Sequence, residues 1–116
     1  MVDDDFVIQN MVENTFSQYS WEVSKFSNGK EFISDPDLRM YDLIFLDLRM
    51  PKMDGFKVMD YLNERNIDTP IIILSALSRK ETVMKAMQYG IKSYLTKPIK
   101  PKVIVQKTTE ALEMNF

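Results

Sequence analysis

The sequence predicts an α/β domain built as a doubly wound parallel sheet, and three observations carry that reading. Two continuous apolar runs of strand length, Leu43–Leu46 and Ile71–Leu74, suit strands buried on both faces. Segments with helical spacing separate the strand-like runs from one end of the 116-residue chain to the other. Gly and Pro punctuation falls between them, as in Asp68-Thr69-Pro70 and at Gly90. Alternation of this kind implies parallel strands joined by right-handed helical crossovers.

The elements follow in order. A first strand ends at Val2, ahead of Asp3-Asp4-Asp5. Phe6 to Phe16 has helical spacing, with Val7, Met11 and Phe16 on one side beside Ile8 and Val12. Trp21–Phe26 is β-rich and mixed, as expected of a strand nearer an edge. Asn28-Gly29 begins a short helix through Phe32 and Ile33. After the strand at 43–46, Phe56, Val58, Met59 and Leu62 mark a helix that should stop near Asn66. After the strand at 71–74, Val83, Met84 and Met87 mark another, ended by Gly90. Ser93–Thr96 is the last strand. Pro101 opens a final helix containing Val103, Ile104, Ala111 and Leu112, which is expected to run to the chain end. The expectation is one domain over residues 1–116, without an output domain, internal repeat or linker.

Composition narrows the chemistry. Hydrophobic residues make up 45%, charged residues 28%, and the net charge is −2, so direct nucleic-acid binding by this chain is not expected. There is no cysteine and no histidine, which removes disulfides, thiolate metal sites and the commonest general base. A cation would be held by oxygen ligands, pointing to magnesium, calcium or manganese. No apolar run reaches the roughly 20 residues a membrane helix needs. The acidic start is unlike a secretion signal, so a cytoplasmic location and no membrane partner are expected.

In a doubly wound sheet ligands bind beyond the carboxyl ends of the strands. Those ends carry Asp3-Asp4-Asp5, Asp47, Ser75 and Lys97-Pro98. Two or three neighbouring carboxylates need a cation to stay ionised together. Magnesium beside a carboxylate, a hydroxyl and an ammonium suits a phosphoryl group, with Asp47 free to act as the nucleophile.

The motifs VDD (Val2–Asp4), LIFLDLRMPKMDG (Leu43–Gly55), IIILSA (Ile71–Ala76) and YLTKP (Tyr94–Pro98) give the chain a resemblance to the receiver domain of two-component response regulators. It covers nearly the whole length and is closest in type to the chemotaxis regulators. The resemblance implies a flavodoxin-like sheet of five strands in the order 2-1-3-4-5, flanked by five helices. It implies Asp47 as phosphoacceptor, Asp4 as direct magnesium ligand, Asp3 holding the metal's waters, and the Arg49 carbonyl as a further ligand. Manganese would serve in place of magnesium. Ser75 and Lys97 would contact the phosphoryl group, and the Lys97–Pro98 bond would be cis. Tyr94 would be the switch aromatic, turning inward with Ser75, and small Ala76 would leave room for the donor. Asp54 is expected to be a turn residue before Gly55.

Function follows by the same implication. A sensor histidine kinase phosphorylates Asp47, and the surface of the fourth helix, last strand and last helix shifts to control a downstream protein or detached output domain. The lysines at 80, 85, 92, 100 and 102 lie on or near that surface, which would also serve a homodimer. The chain would not be an enzyme beyond its own phosphorylation and dephosphorylation. Two other readings compete: a phosphorylation-independent interaction module, and a magnesium-dependent phosphohydrolase. The latter would want a second aspartate where Arg49 stands, and a cap domain.

Two departures from the pattern stand out. Only Met1-Val2 precede the acidic pair, so the first strand reads as truncated, with residues missing upstream. Arg49 is long and charged in the loop after the phosphoacceptor, where it could sit over the site and alter the hydrolysis rate.

Overall fold

The computed structural model describes residues 1–113. In chain order the elements are α1 (Phe6–Ser17), α2 (Gly29–Ile33), a 3-10 turn (Leu38–Met40), β1 (Ile44–Leu46), α3 (Gly55–Glu64), β2 (Ile71–Ser75), α4 (Lys80–Met87), β3 (Ser93–Thr96) and α5 (Pro101–Glu113). The expected end of the last helix reaches residues 114–116, which lie outside the described residues.

The three strands pair in parallel in the order β1-β2-β3, with Ile44 opposite Ile71 and Ile72 opposite Ser93. The expected five strands are therefore three among the described residues, and the first two are reduced to single bridges. Val2 bridges Phe26 on one side and Leu46 on the other, both in parallel. Its N–H donates to the Phe45 carbonyl at 2.8 Å, its carbonyl accepts from Asp47 at 3.0 Å, and Asp3 N–H reaches the Phe26 carbonyl at 3.0 Å. The spatial order Phe26, Val2, β1, β2, β3 is thus the predicted 2-1-3-4-5. Trp21–Lys25, expected with Phe26 as a strand, has no strand assignment, though the Ser24 carbonyl accepts from the Met1 N-terminus at 2.8 Å. Beyond Met1, at the end of the sheet away from Asp47, lies a groove of about 620 Å³ lined by Phe16, Trp21, Leu43, Phe45 and Leu112.

Strand alternation divides the core between the two faces of the sheet. Val2, Ile44, Leu46 and Ile73 pack with Phe32, Val58, Met59, Leu62 and Ala86 from α2, α3 and α4. Phe45, Ile72 and Leu74 pack with Met1, Val12, Phe16, Ile104 and Ala111, beneath α1 and α5. Two expected apolar faces are corrected in part. In α1 Val12 and Phe16 are buried as expected and Gln9 joins them, while Met11 is only half-buried and Val7 is 75% exposed. In α4 only Ala86 is buried, and Met84 and Met87 are more than half exposed.

Local chemistry sets the helix starts. Asp5, Asn28 and Asp54 cap α1, α2 and α3, each accepting from backbone N–H groups of the first turn. Asp54 is thereby the structural turn residue expected of it. Gly90, at φ +78°, follows α4, and its N–H donates to the Met87 carbonyl. Gly55 is required by space. A Cβ there would stand 2.6 Å from the Asp47 carbonyl oxygen and 2.8 Å from Leu48 Cα. Those are backbone atoms of the strand end that carries Asp47, and they cannot swing aside. Gly55→Ala should therefore cost about 1–3 kcal/mol through overpacking. A urea titration should show the unfolding free energy falling by that amount and the midpoint dropping in proportion; an unchanged midpoint would mean that the loop is free to move.

Candidate functional site

The polar residues that end the strands converge. Asp47 follows β1 directly, Ser75 is the last residue of β2, and Lys97 comes immediately after β3. Asp3 and Asp4 follow the Val2 bridge. Carboxylate oxygens of Asp3, Asp4 and Asp47 all lie within 4.8 Å of one another. Asp3 and Asp47 are buried and Asp4 is exposed.

Lys97 enters this cluster from the opposite strand. Its Nζ lies 2.8 Å from Asp3 Oδ2 and 3.4 Å from Asp47 Oδ2. The contact to Asp47 is also a hydrogen bond. The contact to Asp3 is an ion pair outside hydrogen-bond geometry, and it leaves the buried Asp3 Oδ2 without a hydrogen-bond partner. Asp3 Oδ1 accepts from Asp5 N–H at 2.9 Å, and Asp47 Oδ1 accepts from Arg49 N–H at 3.2 Å. Lys97 N–H donates to the Ser75 carbonyl at 2.8 Å, tying the lysine's backbone to the end of β2. The Lys97–Pro98 peptide is cis, as the resemblance implies.

Electrostatics follow from the burial. Desolvation pushes the Asp3 carboxyl up to about 6, against the pull of Lys97 and the Asp5 N–H. Lys97 is raised, because its pairing with Asp3 and Asp47 outweighs desolvation. A buried carboxylate oxygen that meets only the Lys97 ammonium, within reach of two more carboxylates, belongs to an oxygen-only donor set that fits a hard divalent cation.

Ser75 is fully buried, and its Oγ accepts from Leu77 N–H at 3.1 Å. The Tyr94 hydroxyl donates to the Leu77 carbonyl, fastening the aromatic ring to the same turn. Burial raises the Tyr94 hydroxyl pKa, with a hydrogen bond to Ser75 opposing it. Arg49 has an exposed side chain and bonds to Asp47 through its backbone N–H alone. The structure thus brings Asp3, Asp4, Asp47 and Lys97 together and puts Ser75 and Tyr94 on one adjoining turn. Sequence reasoning missed Gln9, which is buried in α1 with its side-chain amide on the carbonyls of Asp3 and Phe26. Its spacing to Val12 and Phe16 was the available signal.

A parallel sheet with this order carries three aspartates and a lysine on its carboxyl rim, a flavodoxin-like architecture with its polar groups where such sheets bind ligands. The response regulator receiver domain model matches residues 1–109, and the chain belongs to that family. It is similar to the transcriptional regulatory protein CiaR of Streptococcus pneumoniae, 33% identical over 98 residues, covering 84% of this chain and 43% of that protein. It is also similar to the putative two-component response regulator ARR20 of Arabidopsis thaliana, 32% identical and covering 80% of this chain but 22% of that protein. The chain therefore spans less than half of these curated relatives. Among solved structures, the Francisella response regulator 1452 receiver domain superposes with a TM-score of 0.87 at 30% identity, covering 99% of this chain and 95% of that one. The BeF3-activated DrrB receiver domain gives 0.86 at 29% identity, covering 97% and 93%. Receiver domains are phosphorylation-dependent switches that bind Mg2+ at an acidic cluster, and the cluster here is Asp3, Asp4 and Asp47. Response regulators receive phosphate from sensor histidine kinases and act on output domains. Among the described residues no helix is long and apolar enough to cross a membrane.

The raised Asp3 value has a sign that can be checked. A carboxyl at about 6 when folded and 3.8 when unfolded stabilises the fold below about pH 4 and loses that contribution as pH rises through 6. Without metal, Asp3→Asn should therefore gain stability relative to wild type between about pH 4 and pH 7. Magnesium should reverse the difference above pH 6 by binding wild type alone. Thermal melts of both proteins across that range, with and without MgCl2, would show it. Parallel curves for the two proteins would mean that Asp3 is not held up by burial.

Proposed function

We propose that Asp47 is the phosphoacceptor of this receiver and that residues 1–116 form one receiver domain. The observation that carries the reading is Lys97 Nζ lying 2.8 Å from Asp3 and 3.4 Å from Asp47, with Ser75 buried on the next strand. An oxygen of Asp47 attacks the phosphorus of a phosphohistidine on a sensor kinase. The new P–O bond forms as the P–N bond breaks, and the departing imidazole takes up a proton. Lys97, already on Asp47, balances the charge of the phosphoryl oxygens, and the Ser75 hydroxyl donates to one of them. Loss of the phosphoryl is attack by water on phosphorus, which regenerates the Asp47 carboxylate.

The residues that would hold a cation are Asp4 and Asp47 directly, Asp3 through water, and the Arg49 carbonyl. Magnesium, or manganese in its place, would neutralise the gathered carboxylates and the phosphoryl oxygens. The exposed Met84 and Met87 on α4, beside exposed lysines at 80, 85, 92, 100 and 102, support a docking face on α4, β3 and α5. A downstream protein or a detached output domain would bind there, or a second copy of the chain. The setting is the cytoplasm.

Intact mass after incubation with acetyl phosphate tests this reading. Wild type should gain a single phosphoryl group only when magnesium is present, and Asp47→Asn should gain none. Folded wild type that gains nothing would leave an interaction module. Continuous release of phosphate from generic phosphate esters would instead favour a phosphohydrolase.

A further inference from the structure

Gln9 lies on the inner face of α1 with Val12 and Phe16 and is only 3% exposed. An amide buried without partners is costly, so its contacts matter. Its Nε2 lies 2.6 Å from the Asp3 carbonyl oxygen and 3.1 Å from the Phe26 carbonyl oxygen. Carbonyls only accept, so the atom facing both must be the NH2 group, and both of its hydrogens are used. The Phe26 carbonyl also accepts from Asp3 N–H. Gln9 thus ties the acidic loop to the edge segment at the point where the Val2 bridges end.

The loop needs a tether. Asp3, Asp4 and Asp47 hold carboxylate oxygens within 4.8 Å of one another, and like charges at that range push the loop outward. Sheet pairing restrains it at Val2 alone, through one bridge on each side. The first turn of α1 completes the tie. Gln9 N–H donates to the Asp5 carbonyl, and Asp5 N–H donates to Asp3 Oδ1. An apolar side chain would fill the helix face equally well but would remove the bond to the Asp3 carbonyl, leaving the Asp3 main chain held only by its own N–H on Phe26.

We infer that Gln9 is a positioning residue for the cation site, holding the Asp3 main chain so that the acidic pair stays beside Asp47 before a cation arrives. The inference rests on the proposed phosphoacceptor site. Its mark is a loss of metal affinity larger than any loss of stability explains. Removing a group that orients metal ligands typically weakens binding about 10- to 100-fold.

The test is calorimetric titration of wild type, Gln9→Met, Gln9→Asn and Val12→Ala with MgCl2, alongside acetyl phosphate labelling rates over a range of magnesium concentrations. Gln9→Met should raise the magnesium Kd and the half-saturating magnesium concentration by about tenfold, with the plateau labelling rate within about twofold of wild type. Gln9→Asn keeps an amide but is too short to reach both carbonyls. It should shift in the same direction, and it serves if the Met protein does not fold. Val12→Ala empties core volume in the same helix and should lower the melting temperature with the Kd unmoved. Glutamine variants that lose stability yet keep the wild-type Kd would overturn the positioning role and leave a purely structural one. Wild type that binds no magnesium and takes no phosphoryl would overturn the site reading itself, and a single control run separates the two failures.

Discussion

Three carboxylates share one corner of this molecule with one ammonium, and that imbalance is the constraint on which the rest of the structure depends. Asp3 and Asp47 are buried, so water does little to screen them, and Lys97 is divided between the two. Burial raises Asp3 to about 6, so near neutral pH most of the molecules keep it ionised at a cost. A surface cluster of the same charges would spread apart into solvent. This one is held because its members hang from three separate places: Asp3 and Asp4 from the Val2 bridge, Asp47 from β1 and Lys97 from the turn after β3. The apolar strands between them supply the rigidity, and the two-sided core under β1 and β2 keeps the rim from relaxing.

The same architecture gives the corner a route to the surface. Ser75 Oγ accepts from Leu77 N–H, the Leu77 carbonyl accepts from the Tyr94 hydroxyl, and both Leu77 and Tyr94 pack on the core beneath α3 and α4. A phosphoryl oxygen on Asp47, as proposed, would accept from the Ser75 O–H, which the Leu77 N–H contact to the oxygen's lone pair leaves available. Tyr94 reads that turn through its hydroxyl and sits on β3, the strand that packs against α4. The elements between Asp47 and the exposed Met84 and Met87 are therefore few, and each pair is in contact.

Much of this was legible in the sequence because it rests on short-range rules. The apolar runs at 43–46 and 71–74 became β1 and β2 with every side chain of Ile44–Leu46 buried, and Pro101 opened α5 as expected. The rim residues were legible because strand ends are where such sheets place polar groups. What failed were questions of rotation and pairing. The helix spacing of α1 admitted two neighbouring faces, and Phe6 and Val7 biased the choice toward the apolar one. Tertiary hydrogen bonds to Asp3 and Phe26 instead drew Gln9 inside, which no hydropathy pattern encodes. Trp21–Phe26 read as a strand by composition, yet a strand needs a neighbour's backbone; the Ser24 carbonyl meets the Met1 N-terminus, and Phe26 forms a bridge, to Val2.

The charge balance would also link the two ligands of the proposed site. A phosphoryl group on Asp47, as proposed, would replace one negative charge with a larger one, about −1.5 to −2 near neutral pH. Lys97 lies on the Asp47 side chain already, but the same ammonium is the charge partner of Asp3. If it moves toward the phosphoryl oxygens, buried Asp3 loses its counter-charge, and its Oδ2 already lacks a hydrogen-bond partner. Asp3 must then either take up a proton or face a second cation. A divalent ion in the carboxylate cluster supplies the latter and frees Lys97 for the phosphoryl group. At the proposed site, metal and phosphoryl would thus favour one another through a single shared lysine. The burial of Asp3 matters for this coupling: an exposed Asp3 would be screened by water whether or not Lys97 moved, and the two ligands would bind with little regard for each other.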